Sequence, residues 1–182
     1  MIRLLLRLSV LGAFGAWLVD RILRRRAGGE PPPPERLMVV IDAPIERVWD
    51  ELIDVEGQPR WMHDMKSVRL DEPGPVRVGT RGEATVRMYG LSVTDPVTIT
   101  TIEPPTRFGL AHEGTFSGGG EFRLEAGVDG TTTIVRWEET LRPPVLPHLG
   151  AAVTSPVFRH VFQRDLERFR DLVEAAREGE GD

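Results

Sequence analysis

Apolar and polar residues alternate along much of the chain between residues 36 and 142, which is typical of half-buried β-strands. Seven such stretches can be marked: "RLMVVIDA", "MKSVRLDE", "RGEATVRM", "LSVTDPVTIT", "RFGLAH", "FSGGGEFRLE" and the "TTTIVRWEE" that follows it. Short turns at Tyr89-Gly90 and Asp129-Gly130 separate neighbouring stretches, and Asp-Gly is a strong hairpin signal. The pattern therefore predicts an antiparallel meander with one apolar, concave face.

The lengths of the turns predict which residues of neighbouring strands are paired. A slip of one residue would turn every apolar side chain to water, so the alternation checks each pairing. A three-residue loop at Glu113–Thr115 would join the fifth and sixth strands. The expected pairs are Met88 with Leu91, Val86 with Val93, His112 with Phe116, Leu110 with Gly118, Leu124 with Val135, Phe122 with Trp137, and Gly120 with Glu139.

Apolar residues at helical spacing predict a short helix after the first strand and a long helix at the C-terminus. The short helix carries Ile45, Val48, Trp49 and Leu52 on one face. The long one begins near Ser155 or Pro156, and "LPHLGAAVT" before it can extend it as one kinked helix. One helix cannot cover a whole twisted sheet, so we expect a cavity between the two.

Gly118 and Gly120 lie at core-facing positions of the sixth strand and carry no side chain. Glycine weakens the interior of a strand unless a close approach or an empty space is needed there. One interpretation is that the two glycines leave room for a ligand. The other is that they let the C-terminal helix pack closely or mark a bulge. The sequence does not decide between them.

The N-terminal segment "MIRLLLRLSVLGAFGAWLVDRILRRR" is apolar and flanked by arginines. Its charge-free stretch is short for a bilayer span, but arginines at its ends can snorkel, so Ile2–Leu23 could just cross. We favour a membrane anchor over an interfacial helix, a helix packed on its own domain, or a cleaved signal peptide. The arginines at 21 and 24–26 then predict a cytoplasmic C-terminal domain.

The predicted organisation is an anchor helix at 1–26, a proline-rich linker at 27–35, a globular domain at 36–178 and a disordered tail at 179–182. Four consecutive prolines in the linker favour a stiff, extended spacer. The chain of 182 residues is acidic, with a formal net charge of −5, which argues against a nucleic-acid partner. It has no cysteine, and its four histidines lack metal-ligand spacing, so no metal or cofactor is expected.

The stretches "IDAPIERVWDELIDVEGQPRWMHDMKSVRL", "VGTRGEATV", "ITTIEPPTRFGLA" and "GTTTIVRWEETL" resemble the START-like (SRPBCC) superfamily, and in particular its polyketide cyclase/dehydrase and lipid-transport branch. This resemblance covers about residues 36–178. It implies an α+β helix-grip fold, in which a seven-stranded antiparallel sheet wraps the C-terminal helix and two short helices close one end. It also implies an apolar cavity that binds lipids or other hydrophobic small molecules, with enzymes as a minority of members.

Candidate ligand-binding residues lie on the concave face and on the helix that covers it: Trp61, Met88, Leu110, His112, Gly118, Gly120, Trp137, Glu139, Phe158 and Phe162. His112 and Glu139 are the conspicuous polar members. The expected pairing puts them four positions apart on their strands, roughly 13 Å, too far for a direct dyad. An arginine partner is then the favoured role for Glu139, a solvent-facing rim position for His112, and a wall or core position for Trp61.

Two functions from different classes remain after the sequence is read. One is a membrane-tethered module that binds, or binds and transports, a hydrophobic small molecule or lipid. The other is a cyclase/dehydrase-type enzyme that uses acid/base catalysis in the same cavity, and a compact polar cluster would favour it. A domain with a filled core is the third interpretation. No catalytic residue is assigned, and the oligomeric state cannot be predicted.

Overall fold

Strands and helices form where the apolar pattern places them in the computed structural model, which describes residues 2–88, 90–114, 117–143 and 145–178. Within these residues the elements are, in chain order, α1 (Ile2–Arg26), β1 (Glu35–Ile41), α2 (Ile45–Ile53), a 3₁₀ helix (Val55–Arg60), β2 (Met65–Leu70), β3 (Arg81–Met88), β4 (Leu91–Glu103), β5 (Arg107–His112), β6 (Ser117–Ala126), β7 (Thr133–Arg142) and α3 (Pro147–Glu178). The turn residue Tyr89, the loop residues Thr115 and Phe116, and the tail at 179–182 lie outside the described residues.

The sheet of the described residues has seven strands in the order β1-β7-β6-β5-β4-β3-β2, and every neighbouring pair is antiparallel. Strands β2 to β7 form the predicted meander, and β1 joins its far edge beside β7. Helix α3 packs on the sheet, with most of its contacts to β1 and β7. The predicted α+β helix-grip architecture is therefore confirmed.

Pairing between strands agrees with the sequence at two hairpins and differs at a third. Met88 pairs with Leu91, Leu124 with Val135 and Gly120 with Glu139, as expected. Between β5 and β6, however, His112 pairs with Gly118 and Leu110 with Gly120. The loop is two residues longer than predicted. A shift of two leaves every side chain on its own face, so alternation could not reveal it.

The core lies between the concave face of the sheet and the second half of α3. Its largest fully buried side chains are aromatic and aliphatic: Trp61, Trp137, Phe108, Phe122, Phe169, Ile41, Leu52, Ile99 and Leu166. Trp61, from the end of the 3₁₀ helix, lies 5.0 Å from the ring of Phe169 and 6.4 Å from that of Trp137. This cluster fills the interior beneath the second half of α3.

Helix α3 is continuous from Pro147 to Glu178, with Pro156 inside it. Its second half is fixed to the domain by the buried carboxylate of Asp165, which accepts from the His63 backbone N–H at 3.0 Å and from Arg168 Nη1 at 2.9 Å. Burial raises the pKa of Asp165, while the hydrogen bond from His63 and the charge of Arg168 act in the opposite direction.

Helix α1 packs against α3, and no residue before Leu37 belongs to the buried core among the described residues. One carboxylate oxygen of Asp20 accepts from the backbone N–H groups of His148 and Leu149, both at 2.9 Å, in the first turn of α3. Among the described helices, none is long and apolar enough to cross a membrane. The predicted transmembrane anchor at Ile2–Leu23 is therefore not supported.

Candidate ligand-binding site

A buried polar cluster lies on the concave face where β5, β6 and β7 run side by side. Glu139 of β7 is 7% exposed, and its carboxylate oxygen Oε2 accepts from Nε1 of Trp137 at 3.0 Å. Its other oxygen, Oε1, lies 3.0 Å from Nε2 of His112, the last residue of β5, whose side chain is 15% exposed. A carboxylate can only accept hydrogen bonds, so Nε2 of His112 carries the proton when Glu139 is ionised.

The contact between His112 and Glu139 corrects the expected separation of roughly 13 Å. The true register places His112 opposite Gly118, two positions from the row that holds Gly120 and Glu139. Strand β6 lies between the two polar residues, and at this point of its concave face it presents only glycines. The two side chains therefore meet across β6, and the expected arginine partner of Glu139 is replaced by His112 and Trp137.

The two glycines are needed by this cluster rather than by α3. A Cβ atom on Gly120 would lie 2.5 Å from Oε2 of Glu139 and 2.9 Å from Nε1 of Trp137. A Cβ atom on Gly118 would overlap the carbonyl oxygen of Thr140 and come within 3.2 Å of the His112 ring. The space beside Gly120 is occupied by the polar side chains of β7, and the space beside Gly118 by the Thr140 backbone and the edge of the His112 ring.

A cavity of about 350 Å³ begins at Glu139 and extends along the first half of α3. Its inner wall contains the rings of Phe158 and Phe162, which stack at 5.8 Å, and Phe162 in turn lies 5.1 Å from Trp137. The aromatic core therefore closes the cavity at its inner end. A mostly apolar wall with a few polar groups, here the buried carboxylate of Glu139 and the ion pair of Glu35 with Arg159, is the usual form of a small-molecule site.

The N-terminal arm, defined here as α1 and the linker at 27–34, forms the outer wall of this cavity. The arm contributes Leu23, Ala27 and the four prolines 31–34 to the lining. At the end of the linker, Glu35 accepts from Ser155 and pairs with Arg159 at 2.9 Å, which holds the start of β1 against α3. Sequence reasoning assigned Leu23 to a membrane anchor and the linker only to a spacer, because no local pattern shows that a proline segment folds back.

A second cavity of about 320 Å³ is more open to solvent and lies at the end of β5, β6 and β7. Its lining comprises Ala111, His112, Glu113, Ser117, Gly118, Gly119, Thr140 and Arg142. His112 borders this open cavity, whereas Glu139 borders the apolar one. The hydrogen-bonded pair thus connects an apolar cavity with a solvent-exposed one.

The ten residues predicted for the site fall into separate groups. Glu139, Phe158 and Phe162 line the apolar cavity, and His112 and Gly118 line the open one. Gly120 and Trp137 are adjacent to the Glu139 carboxylate: Gly120 leaves room for it, and Trp137 donates a hydrogen bond to it. Trp61 and Leu110 belong to the core packing instead, and the Met88 side chain lies outside the described residues. Among the described residues, no group of three or more His, Cys, Asp or Glu side chains is placed to hold a metal ion.

Comparison with known proteins places this geometry in a family. Residues 36–174 match the family model described as "Polyketide cyclase / dehydrase and lipid transport". A search of curated protein sequences found no significant match. The sequence-based resemblance to the START-like superfamily, and to this branch of it, is thereby confirmed.

Solved structures show the same fold at low sequence identity. TTHA0849 from Thermus thermophilus is 22% identical with a TM-score of 0.63, over 79% of this chain and 99% of that one. DR_A0006 from Deinococcus radiodurans is 20% identical with a TM-score of 0.59, over 79% and 98%. The Zhui aromatase/cyclase from Streptomyces sp. R1128 is 18% identical with a TM-score of 0.58, over 76% and 92%.

Proposed function

Because the chain belongs to the polyketide cyclase/dehydrase and lipid-transport family, we propose that it binds a hydrophobic small molecule in the cavity between β7 and α3. The observation that carries this proposal is an apolar cavity with Phe158 and Phe162 on its wall and one buried carboxylate, Glu139, at its inner end. Glu139 would orient a ligand by accepting or sharing a hydrogen bond, while the rings supply the apolar contact.

The size of the cavity narrows the class of ligand. Its volume of about 350 Å³ is at the lower end of the range for ligand pockets, roughly 300–1,000 Å³. This volume suits a compound of one or two rings or a single short acyl chain. A lipid with two long chains would require the cavity to enlarge.

A cavity-filling variant tests the binding site. Ala151→Trp places an indole in the lining on α3, and Ala175→Trp makes the same change at an exposed position of the same helix. We expect the wild-type chain to enhance the fluorescence of the apolar dye N-phenyl-1-naphthylamine. Ala151→Trp should lower the affinity about tenfold or more, equivalent to at least about 1.4 kcal/mol, and Ala175→Trp should not. Equal affinity in all three proteins would place the dye elsewhere.

Acid/base catalysis in the same cavity is a second candidate function, and the contact between His112 and Glu139 favours it. Glu139 reaches the apolar cavity and His112 reaches the open one. Glu139 could take a proton from the carbon next to a ligand carbonyl, leaving an enolate. His112, once in the tautomer protonated at Nδ1, could then accept that proton at Nε2 and release the Nδ1 proton to solvent. A base within hydrogen-bond reach of its target and a path for the proton are the geometric requirements of general acid/base catalysis.

Deuterium exchange separates this function from simple binding. The probe is acetophenone, a small aromatic ketone whose methyl protons exchange slowly in neutral D₂O without a catalyst. We expect the wild type to accelerate methyl deuteration, followed by NMR. In Glu139→Gln the amide oxygen can accept from Trp137 and the amide N–H₂ can donate to His112 in its other tautomer, but the amide cannot take a proton, so the rate should fall ~10²-fold or more while dye binding is retained. If the wild type binds the dye but does not accelerate deuterium exchange, binding is the only one of the two functions that remains supported.

We also propose that α1 holds the domain at an anionic membrane surface by lying on it. Phe14 is 59% exposed and Trp17 47% exposed, and Leu18, Val19 and Ile22 are also exposed, while Arg21 covers the Trp17 ring at 5.5 Å. Apolar side chains beside arginines are typical of interfacial helices. Cosedimentation with anionic but not neutral vesicles tests the tether. The cytoplasmic location predicted from the arginines assumed a spanning helix, so it has no support for a helix that lies on the surface.

A further inference from the structure

The N-terminal arm has two faces with different surroundings. Towards the domain, Asp20 accepts from the first turn of α3, and Leu23 and Ala27 line the cavity. Seen along the helix axis, Phe14 and Leu18 point the opposite way, and both are exposed. The same helix therefore covers the cavity with one side and presents apolar side chains to solvent with the other.

The charge of the arm differs from that of the rest of the chain. The first 26 residues contain six arginines and one acidic residue, Asp20, although the whole chain has a formal net charge of −5. An anionic lipid surface would attract the arm and repel the acidic domain, which orients the molecule with the arm against the lipid. The apolar face of α1 would then enter the headgroup region.

We propose that the N-terminal arm is a lid over the cavity, latched by Asp20, and that an anionic lipid surface releases the latch and opens the cavity towards the bilayer. This inference rests on the proposed binding function of the same cavity. It assigns to Asp20 a regulatory contact, and it assigns to the membrane a second role as the trigger that admits the ligand.

The latch is a small set of polar contacts between Asp20 and the start of α3. It consists of two hydrogen bonds from backbone N–H groups to one carboxylate at the positive end of α3, an interaction that salt and competing charges weaken. Leu146, directly before α3, has φ of 52°, a left-handed conformation that a leucine adopts only at an energetic cost. The turn that Asp20 caps is therefore held in a strained conformation.

The C-terminal end of the N-terminal arm stays attached to the domain when the Asp20 latch opens. The arm would therefore swing about that end instead of detaching completely. Glu35 is held by Ser155 and Arg159 at the start of β1. The prolines 31–34 keep their part of the linker extended, while Gly28 and Gly29, with φ of 67° and 84°, lie between the prolines and α1 and supply a hinge for the swing. Release of Asp20 would carry Leu23 and Ala27 away from the cavity.

Latch variants of the full-length chain test the lid without any membrane. Asp20→Ala removes the acceptor, Asp20→Asn removes only the charge, and Asp50→Ala is the control, an exposed aspartate on α2 away from the cavity. The observed rate of dye binding scales with the open fraction, so N-phenyl-1-naphthylamine should bind about tenfold faster to Asp20→Ala. Asp20→Asn should fall between Asp20→Ala and wild type, and Asp50→Ala should match wild type.

Hydrogen–deuterium exchange of the wild type tests the trigger, even if a latch variant fails to fold. The amides of His148 and Leu149 are protected by Asp20, so they report the latch directly. Vesicles of equal parts phosphatidylglycerol and phosphatidylcholine should speed their exchange, and phosphatidylcholine vesicles should not. In Trp17→Glu, which weakens the apolar face, both kinds of vesicle should leave the exchange unchanged.

The possible failures can be told apart. Equal dye-binding rates in wild type, Asp20→Ala and Asp50→Ala would overturn the lid and leave the binding site in place. Exchange at residues 148 and 149 that anionic vesicles do not alter would overturn the membrane trigger. Absence of dye binding by both wild type and Asp20→Ala would remove the proposed binding function, and the lid would fall with it.

Discussion

At the scale of single residues, Gly118 and Gly120 lie on β6, between the strands that carry His112 and Glu139. The side chains of His112 and Glu139 form a hydrogen bond across these glycines. A side chain at 120 would meet the end of the flexible Glu139 side chain, whereas one at 118 would meet the backbone carbonyl of Thr140. A side chain can turn aside, but a paired strand cannot move without breaking its hydrogen bonds. The two positions should therefore differ in what a methyl group costs.

We expect Gly118→Ala to lower the free energy of unfolding by about 2–3 kcal/mol and Gly120→Ala by about 1–2 kcal/mol, as for other overpacked sites. Gly120→Ala should in addition weaken dye binding, because it displaces the Glu139 carboxylate. Urea denaturation and dye titration measure both effects. Gly15→Ala is the matched control: it lies in α1 with open space around it and should stabilise that helix slightly. Comparable losses at 118 and 120 would contradict the steric argument.

The same residues show how far the sequence could predict the site. It identified the glycines, His112 and Glu139 as neighbours on one concave face, because alternation assigns each residue to a side of the sheet. It could not reveal that His112 and Glu139 touch. That contact depends on a loop that is two residues longer than expected, and a shift of two does not alter the alternation. Register along a strand needs tertiary information.

At the scale of elements, the two halves of helix α3 have different roles. Its first half borders the cavity, and its second half is held in the core by Leu166, Phe169 and Val173. Asp165 ties that second half to the backbone of His63. The sequence predicted the apolar stripe of this helix and its extension before Pro156. The partner of Asp165 lies in a distant loop, which no helical periodicity could show.

Burial raises the pKa of Asp165, so the folded protein binds a proton at higher pH than the unfolded chain does. Its contribution to stability is fully present below the unfolded pKa of roughly 4 and is lost as the pH rises through the folded value. Asp165→Asn is neutral at every pH and keeps an oxygen for His63. The melting temperature of this variant, relative to wild type, should therefore increase from about pH 4 to about pH 7.

Asp171→Asn provides the control for this prediction, because it removes a charge that is 64% exposed and pairs with its neighbour Arg170 on the same helix. Its melting temperature relative to wild type should change little over the same pH range. A constant difference between Asp165→Asn and wild type, or one that decreases with pH, would show that burial does not govern Asp165.

At the scale of the whole molecule, the structure joins segments that the sequence treats as separate. Composition predicted an apolar helix, a proline linker and a globular domain, and the helix and the domain are present in the fold. Their relation could not be predicted, because one aspartate in α1 recognises backbone groups of α3 more than a hundred residues away. Because almost every residue has the same backbone N–H group, the sequence pattern cannot predict which of these groups a side chain such as Asp20 will bind.

Pro156 has a consequence for the range of ligands that the cavity can accept. Proline has no N–H to donate to the carbonyl of Ala152, so the helix lacks a hydrogen bond between its two halves. The turns before Pro156, which carry His148, Ala151 and Ala152 of the lining, can pivot at this point, while Phe158, Phe162 and the half held by Phe169 stay in place, as hinges in other proteins do. We therefore expect the chain to adjust its cavity to guests of different bulk, and to discriminate among them by polarity more than by size.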